Sequence, residues 1–403
     1  MKEEDIVMEF RGYPRADGSV GIRNYVLVIP GGLVASKICE FVPGTKTVMS
    51  TKEGVGFTSR DRETIARTLF GLGLNPNVYS VIVQGGSPKA GYPELRTERL
   101  AQEIAKSGKR VEVVDAVKEG GTLEAIQKGI KIARELVFEA SKVRRQPFSL
   151  GKLSLGVKCG HSDPTSGMVG NPVVGYLFDR VVEAGGIAMF GETTEIIGAE
   201  HILAKRAVNR QVGQEILARV NCIEKRALST GEDIRTMNPV PDNIAAGIST
   251  IEEKSLGAIY KAGHLPIEGV LDFAERPKKS GLYFVDSWMG IPSIFPGFAA
   301  SGAQLNLFQH GGGAGAPNNH ILDPSPAVVS PMLWTSANPI TYAQTKGSLD
   351  FYSGTVIEGK ETLEQAGERL VNLVLEIASG TLTRGETINY SEPIEIYTID
   401  PIF

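Results

Sequence analysis

Short apolar runs ending in paired glycines, each followed by an amphipathic stretch, recur along the first third of this 403-residue chain. Tyr25-Val26-Leu27-Val28-Ile29-Pro30 ends at Gly31-Gly32, and the run from Val78 to Gln84 ends at Gly85-Gly86. Arg110 to Val114 is a third run, and helical patterns occupy 61–72, 94–106 and 122–140. A strand that is apolar on both faces must be covered on both, and strand–helix alternation builds a largely parallel sheet. Residues 1–147 are therefore expected to form one α/β unit, with 143–149 as the linker that breaks the rhythm.

From Leu153 the alternation resumes, so 148–403 is expected to form a second α/β unit. Asn171-Pro172 reads as a helix N-cap followed by proline at the first helical position. Val174, Leu177, Phe178, Val181 and Val182 then share one helical face. Gly185-Gly186 stops that helix, and Ile187 to Phe190 is a short strand. Residues 228–248 read as an irregular loop, and Leu282-Tyr283-Phe284-Val285 and Leu305-Asn306-Leu307-Phe308 as strands. Leu363, Leu370, Val374 and Ile377 mark a last amphipathic helix. The expected fold class is α/β, with two Rossmann-like three-layer units and mainly parallel sheets.

A net charge of −4 leaves no electrostatic footprint for nucleic acid. No apolar run reaches the roughly 18 residues of a membrane helix, and the charged start Lys2-Glu3-Glu4-Asp5 lacks a signal sequence. A cytoplasmic protein with no membrane partner is expected. Three cysteines far apart do not suggest a disulfide framework.

The chemistry concentrates at Lys158-Cys159-Gly160-His161-Ser162-Asp163-Pro164-Thr165-Ser166-Gly167. A strand feeds this polar loop and a helix follows, which is where open α/β sheets bind ligands. Glu192-Thr193-Thr194-Glu195 and Glu200-His201 follow the next strand. Together they suit a polar, anionic small molecule. Cys159 reads either as a metal ligand, with Glu192, Glu195 or Glu200, or as a buried structural thiol. Arg11, Arg15 and Arg23 offer forks for a carboxylate, or structural ion pairs in a turn. Gly311-Gly312-Gly313-Ala314-Gly315 is an anion cradle or a flexible loop. Glu252 and Lys254 begin a helix, or face the ligand as acid and base. His201 reads as a surface residue, and His264 and His320 carry no local signal.

Taken in order, these motifs resemble the altronate dehydratase (UxaA) family. Phe10 to Gly18 with Arg23-Asn24, Asn75-Pro76-Asn77-Val78, Lys158-Cys159-Gly160 to Asn171-Pro172, and Gly191-Glu192-Thr193-Thr194-Glu195 carry the resemblance. So do Gly198-Ala199-Glu200, Asp242-Asn243-Ile244-Ala245, Thr250 to Gly257 and Ala299-Ala300-Ser301-Gly302-Ala303. The family includes altronate dehydratase, galactarate dehydratase and the large subunit of (2R)-sulfolactate sulfo-lyase.

The resemblance implies β-elimination from a hydroxy acid by a hydro-lyase, with 148–403 as the catalytic unit and a sugar acid such as D-altronate as substrate. The alternatives are a carbon–sulfur lyase of the sulfolactate type and a non-catalytic carboxylate-binding subunit. It implies Lys158, Ser162, Asp163, Glu192, Glu195, Lys254 and Asp286 as catalytic residues. It implies Arg15, Arg23, Asn24, Ser166, Asn171 and His310 as substrate-binding, and Cys159 and Glu200 as metal ligands. The metal would be divalent, iron(II) foremost, with manganese or magnesium as alternatives. A separate small SAF-domain subunit and a homo-oligomer are also expected. The chain departs from the family pattern at His161, His310-Gly311-Gly312-Gly313, Ser50 to Gly56 and Gly85-Gly86-Ser87-Pro88.

Overall fold

The computed structural model of the chain describes residues 8–48, 52, 54–85, 91–312, 327–389, 391 and 394–403. The charged N-terminus, Ser50, Thr51, Glu53, Gly86-Ser87-Pro88, Gly313-Ala314-Gly315 and His320 lie outside the described residues.

The first half holds β1 (Glu9–Pro14), β2 (Val20–Gly21), β3 (Tyr25–Ile29), β4 (Thr45–Thr47), β5 (Val78–Gly85), β6 (Val111–Asp115) and β7 (Gln146–Ser149). A parallel sheet of order β4-β3-β5-β6 forms its centre. Successive side chains of β3 leave on opposite faces. Val26 and Val28 pack under helices Leu33–Phe41 and Thr122–Lys142, whereas Leu27 and Ile29 pack under helices Ser59–Leu74 and Thr97–Ala105. The segment read as a linker contains β7, which pairs antiparallel with β1.

The second half holds β8 (Ser154–Gly160), β9 (Ile187–Phe190), β10 (Ile267–Leu271), β11 (Gly281–Val285), β12 (Leu305–His310), β13 (Met332–Ser336) and β14 (Phe351–Tyr352). All are parallel, in the order β10-β11-β9-β8-β12-β13-β14. Leu155 and Val157 of β8 pack under helices Asn171–Glu183 and Leu363–Ser379. The other face carries Met189, Phe308 and Trp334 against helix Ile291–Ala300. Two three-layer α/β units result, as the alternation implied.

They share a core. Leu27, Ile29 and Val83 of one sheet belong to the same buried cluster as Met189, Val285 and Phe308 of the other. Helices Ser59–Leu74 and Ile291–Ala300 lie between them, so close that a Cβ on Gly71 would stand 2.7 Å from the Ala300 carbonyl.

Three local readings are corrected. The helix expected to start at Asn171 is already helical from Pro164, through a wide π-type turn at Ser166–Gly170. Asp163 caps it, accepting from the Ser166 N–H at 3.1 Å, so Asn171 is an interior residue and not the cap. The loop 228–248 contains short helices Ile234–Met237 and Pro241–Ala245. Helix Ile291–Ala300 escaped a periodicity reading because it carries Pro292 and Pro296 and is buried nearly all round.

Polar clasps close the seam between the halves. Asn77 Oδ1 accepts from the N–H groups of Ile22 (2.8 Å) and Arg23 (3.2 Å), and its Nδ2 donates to the carbonyls of Gln304 (2.8 Å) and Val329 (2.9 Å). Asn75 Nδ2 donates to the Ala299 and Ala303 carbonyls at 2.7 and 2.8 Å. Replacing Asn77 by leucine would strand four buried backbone groups. Asn77→Leu is expected to cost about 3 kcal/mol or more, read as a lowered urea midpoint.

Candidate active site

β8 lies where the large sheet changes direction, with β9 on one side and β12 on the other. A crevice opens at the carboxyl ends of strands at such a point. His161, Glu192, Asp286-Ser287 and His310 all stand at or just beyond those ends.

Glu192 occupies the centre and is fully buried. Its Oε1 accepts from Lys158 Nζ at 3.1 Å, and its Oε2 accepts from the Cys159 N–H at 3.0 Å and pairs with Lys261 Nζ. Lys158 also donates to the Cys159 carbonyl at 2.6 Å, and Lys261 lies 3.1 Å from Cys159 Sγ. Burial opposes the Glu192 charge, but Lys158 and Lys261 outweigh it and hold its pKa below the ordinary carboxylate value. Burial likewise opposes the Lys261 charge, yet Cys159 and Glu192 hold its pKa above the ordinary lysine value. Burial and then the Glu192 charge push the Cys159 thiol up, so it stays neutral.

Glu192 has a left-handed backbone, with φ 69° and ψ 68°. The neighbouring strand holds it there. Its N–H donates to Ser287 Oγ at 3.0 Å, and a Cβ on Gly191 would collide with that hydroxyl. Thr193 Oγ1 donates to Asp286 at 2.6 Å, and Arg219 holds the other Asp286 oxygen at 3.3 Å.

A second buried pair flanks the first. Lys254 Nζ stands 2.9 Å from Glu195 Oε2 and donates to Asn238 Oδ1 at 2.8 Å. Beside it is a cavity of about 260 Å³ whose wall includes Ser162, Asp163, Ser166, Asn171, Glu253 and Lys254. Asp163 accepts from Thr165 Oγ1 (2.6 Å), the Ser166 N–H (3.1 Å) and Asn338 Nδ2 (2.7 Å). Asn171 donates to the Gly257 carbonyl at 2.9 Å, while its buried Oδ1 meets no protein donor among the described residues.

His161 and His310 complete the group, their rings 4.9 Å apart. His161 is half-buried, with φ 47°, and His310 is buried between Phe308 and Trp334. Burial, then His161, pushes the His310 pKa down to about 3. Burial, then Lys158, lowers that of His161, with Asp242 opposing and Lys254 adding. Both imidazoles are therefore neutral at pH 7.

The structure thus gathers Lys158, Cys159, Ser162, Asp163, Ser166, Asn171, Glu192, Glu195, Lys254 and His310 around one crevice, with Asp286 behind. It does not bring Arg15, Arg23 or Asn24 there. Arg15 donates to the Pro76 and Arg23 carbonyls, and Arg23 pairs with Glu386 at 2.7 Å and donates to the Ile377 carbonyl at 3.0 Å. Asn24 donates to the Ala140 carbonyl at 2.7 Å. Glu252 is an exposed partner of Arg235. Lys261, Asn238 and Asn338 escaped the sequence reading. The one available signal was a lysine inside the apolar stretch Ile259-Tyr260-Lys261-Ala262.

The donors present do not fit the expected divalent metal. Cys159 faces an ammonium group, and Glu200 accepts from its own Gly198 N–H. Among the described residues no three His, Cys, Asp or Glu side chains are grouped to hold an ion.

Residues 150–399 match the family model described as D-galactarate/Altronate dehydratase, C-terminal. Residues 12–141 match that of D-galactarate dehydratase/Altronate hydrolase, second domain. The chain is 34% identical over 392 residues to the (2R)-sulfolactate sulfo-lyase subunit beta of Chromohalobacter salexigens, spanning 95% of this chain and 96% of that protein. It is 28% identical to an altronate dehydratase of Bacillus subtilis, spanning 95% of this chain and 76% of that enzyme. It is also 28% identical to the galactarate dehydratase (L-threo-forming) of Escherichia coli, spanning 92% and 73%.

Lys261→Met is expected to cost about 3–5 kcal/mol in chemical denaturation at pH 7, because it leaves a buried carboxylate half-neutralised. The histidine pair adds a pH dependence. Folded-state pKa values below the ordinary imidazole value give stability that is present above about pH 6.5 and lost as pH falls. The unfolding free energy from urea titration should drop accordingly, by roughly 1–2 kcal/mol at pH 5, and His310→Phe should flatten that slope.

Proposed function

The chain belongs to the D-galactarate/altronate dehydratase family, and on that premise we propose that it is a hydro-lyase acting on a sugar acid such as D-altronate. The product would be a 2-keto-3-deoxy acid. The observation that carries this reading is a buried lysine, Lys254, on the wall of a cavity beside the strand ends that also carry Lys158 and the paired imidazoles of His161 and His310.

Elimination places negative charge on the substrate carboxylate as the neighbouring C–H bond breaks. Cations aimed at that carboxylate stabilise the enediolate-like transition state. Lys254 lines the cavity and is assigned to it, with Lys158 and Lys261 supplying positive field from behind. Asp163, Glu192 and Glu195 are already engaged by a helix end or by ammonium groups, which leaves them poor bases. His161 is half-buried, neutral and electrostatically coupled to both Lys158 and Lys254. We assign it the proton abstraction, with His310 fixing its ring. Ser162, Ser166 and the open Asn171 Oδ1 suit the hydroxyls of a polyol acid. The departing hydroxide takes a proton from the Lys254 ammonium, which the His161 imidazolium then restores, and leaves as water, and the enol tautomerises to the keto acid.

A second reading is favoured by the 34% identity over nearly the whole of both chains. In it the same proton abstraction expels sulfite from a sulfolactate-like acid. The name of that relative as a subunit supports a multi-subunit arrangement, and we take the partner to be the small SAF-domain subunit. No helix among the described residues is long and apolar enough to cross a membrane, and we place the enzyme in the cytoplasm.

The test is an assay of the chain, alone and with the small subunit, on altronate, galactarate and sulfolactate. Keto acid without sulfite is expected, and sulfite release would select the second reading. His161→Asn is expected to lower kcat by about 10²–10⁴ with an unchanged melting temperature. An equal rate in that variant would remove His161 from the mechanism.

A further inference from the structure

A second cavity, of about 510 Å³, opens at the opposite ends of the same strands. Ser154 and Ile187 begin β8 and β9, and Ser280 precedes β11, so this cleft lies about 20 Å from His161, the length of β8. Its far wall comes from the first half of the chain, at Asp17, Ser19 and Pro76.

Lys152, Arg276, Lys278 and Lys279 line it, against Asp17 as the carboxylate. Lys279 is paired with Glu268, and Asp17 Oδ1 already accepts from Ser19. Arg276 stands apart from its neighbours. Lys109, just behind, donates to the carbonyls of Gly73 and Asn75, and Arg15 to those of Pro76 and Arg23. Arg276 has no acceptor among the described residues, and its Nη1 is sealed from solvent without a partner. Gly302 packs beneath it, where a Cβ would stand 3.3 Å from Nη2. Burial depresses the Arg276 pKa, and only Asp17 opposes that. A guanidinium held in this way is destabilising until an anion meets it, and its planar fork matches two oxygens of one group.

We propose that this cleft is a binding site for a multiply charged oxyanion, a phosphate ester or a polycarboxylate, held by Arg276 with Lys152 and Lys278. Such a ligand is held by the second half of the chain, faces the first half across the cleft, and lies clear of the reacting centre.

The test titrates the full chain with inorganic phosphate and, separately, with citrate, by calorimetry and by melting temperature. Saturable binding that raises the melting temperature is expected. Arg276→Gln should weaken it roughly ten- to hundredfold. Lys278→Glu, at an exposed position, should weaken it in the same direction. His161→Asn should bind as the parent does, which separates this site from the elimination site. Binding of phosphate alone identifies the phosphate ester, and of citrate alone the polycarboxylate. No saturable binding of either, unchanged binding in both cleft variants, or an equal loss in His161→Asn overturns the proposal.

Discussion

Glu192 is a carboxylate with no access to water, and the geometry of the site depends on keeping it ionised there. Burying an ion costs several kcal/mol even after the protein relaxes, and only complete pairing offsets it. Here the pairing is complete, through Lys158, Lys261 and the Cys159 N–H. The requirement fixes the end of β8, the turn after β9 and the segment carrying Lys261 relative to one another. It also explains why Glu192 tolerates a left-handed backbone, a strain of order 1–3 kcal/mol that the lacing to Ser287 and Asp286 holds in place. Two ammonium groups face this one carboxylate, while Lys254 is matched by Glu195.

The same logic explains why the arginines near the N-terminus are not at the site. Helix ends leave carbonyls unpaired. Helix Leu363–Ser379 ends against Arg23, through the Ile377 carbonyl, and helix Thr122–Lys142 ends against Asn24, through that of Ala140. The guanidinium fork that would suit a substrate carboxylate suits Glu386 equally well. With Asn75 and Asn77 these residues make a polar seam around a core that both sheets share. The two halves are thereby joined through a common core.

Much of the site was legible along the chain. Lys158 to Ser166 and Glu192 to Glu195 stand at or just beyond the ends of strands that their apolar runs disclose, and a parallel sheet brings its carboxyl ends to one side. Lys254 is legible as the start of a helix but not as a partner of Glu195, since 59 residues separate them. Lys261 sits in an apolar stretch with no motif of its own. His161 and His310 look unrelated until β8 and β12 become neighbours, with Gly160 opposite His310. Asn171 followed by proline has every local mark of a helix start. Asp163, capping eight residues earlier, overrides it because the helix gains two further turns against Gly257 and Gln309.

The amino-acid sequence by itself determined the α/β class, the parallel strands and the loops that bear the chemistry. Those follow from local periodicity and from glycine stops, which act over a few residues. Tertiary structure alone decided which charges are paired, which histidines touch and which arginines are structural. Those depend on partners dozens to hundreds of residues away. They depend equally on burial, which decides whether a carboxylate is an ion, a cap or a base.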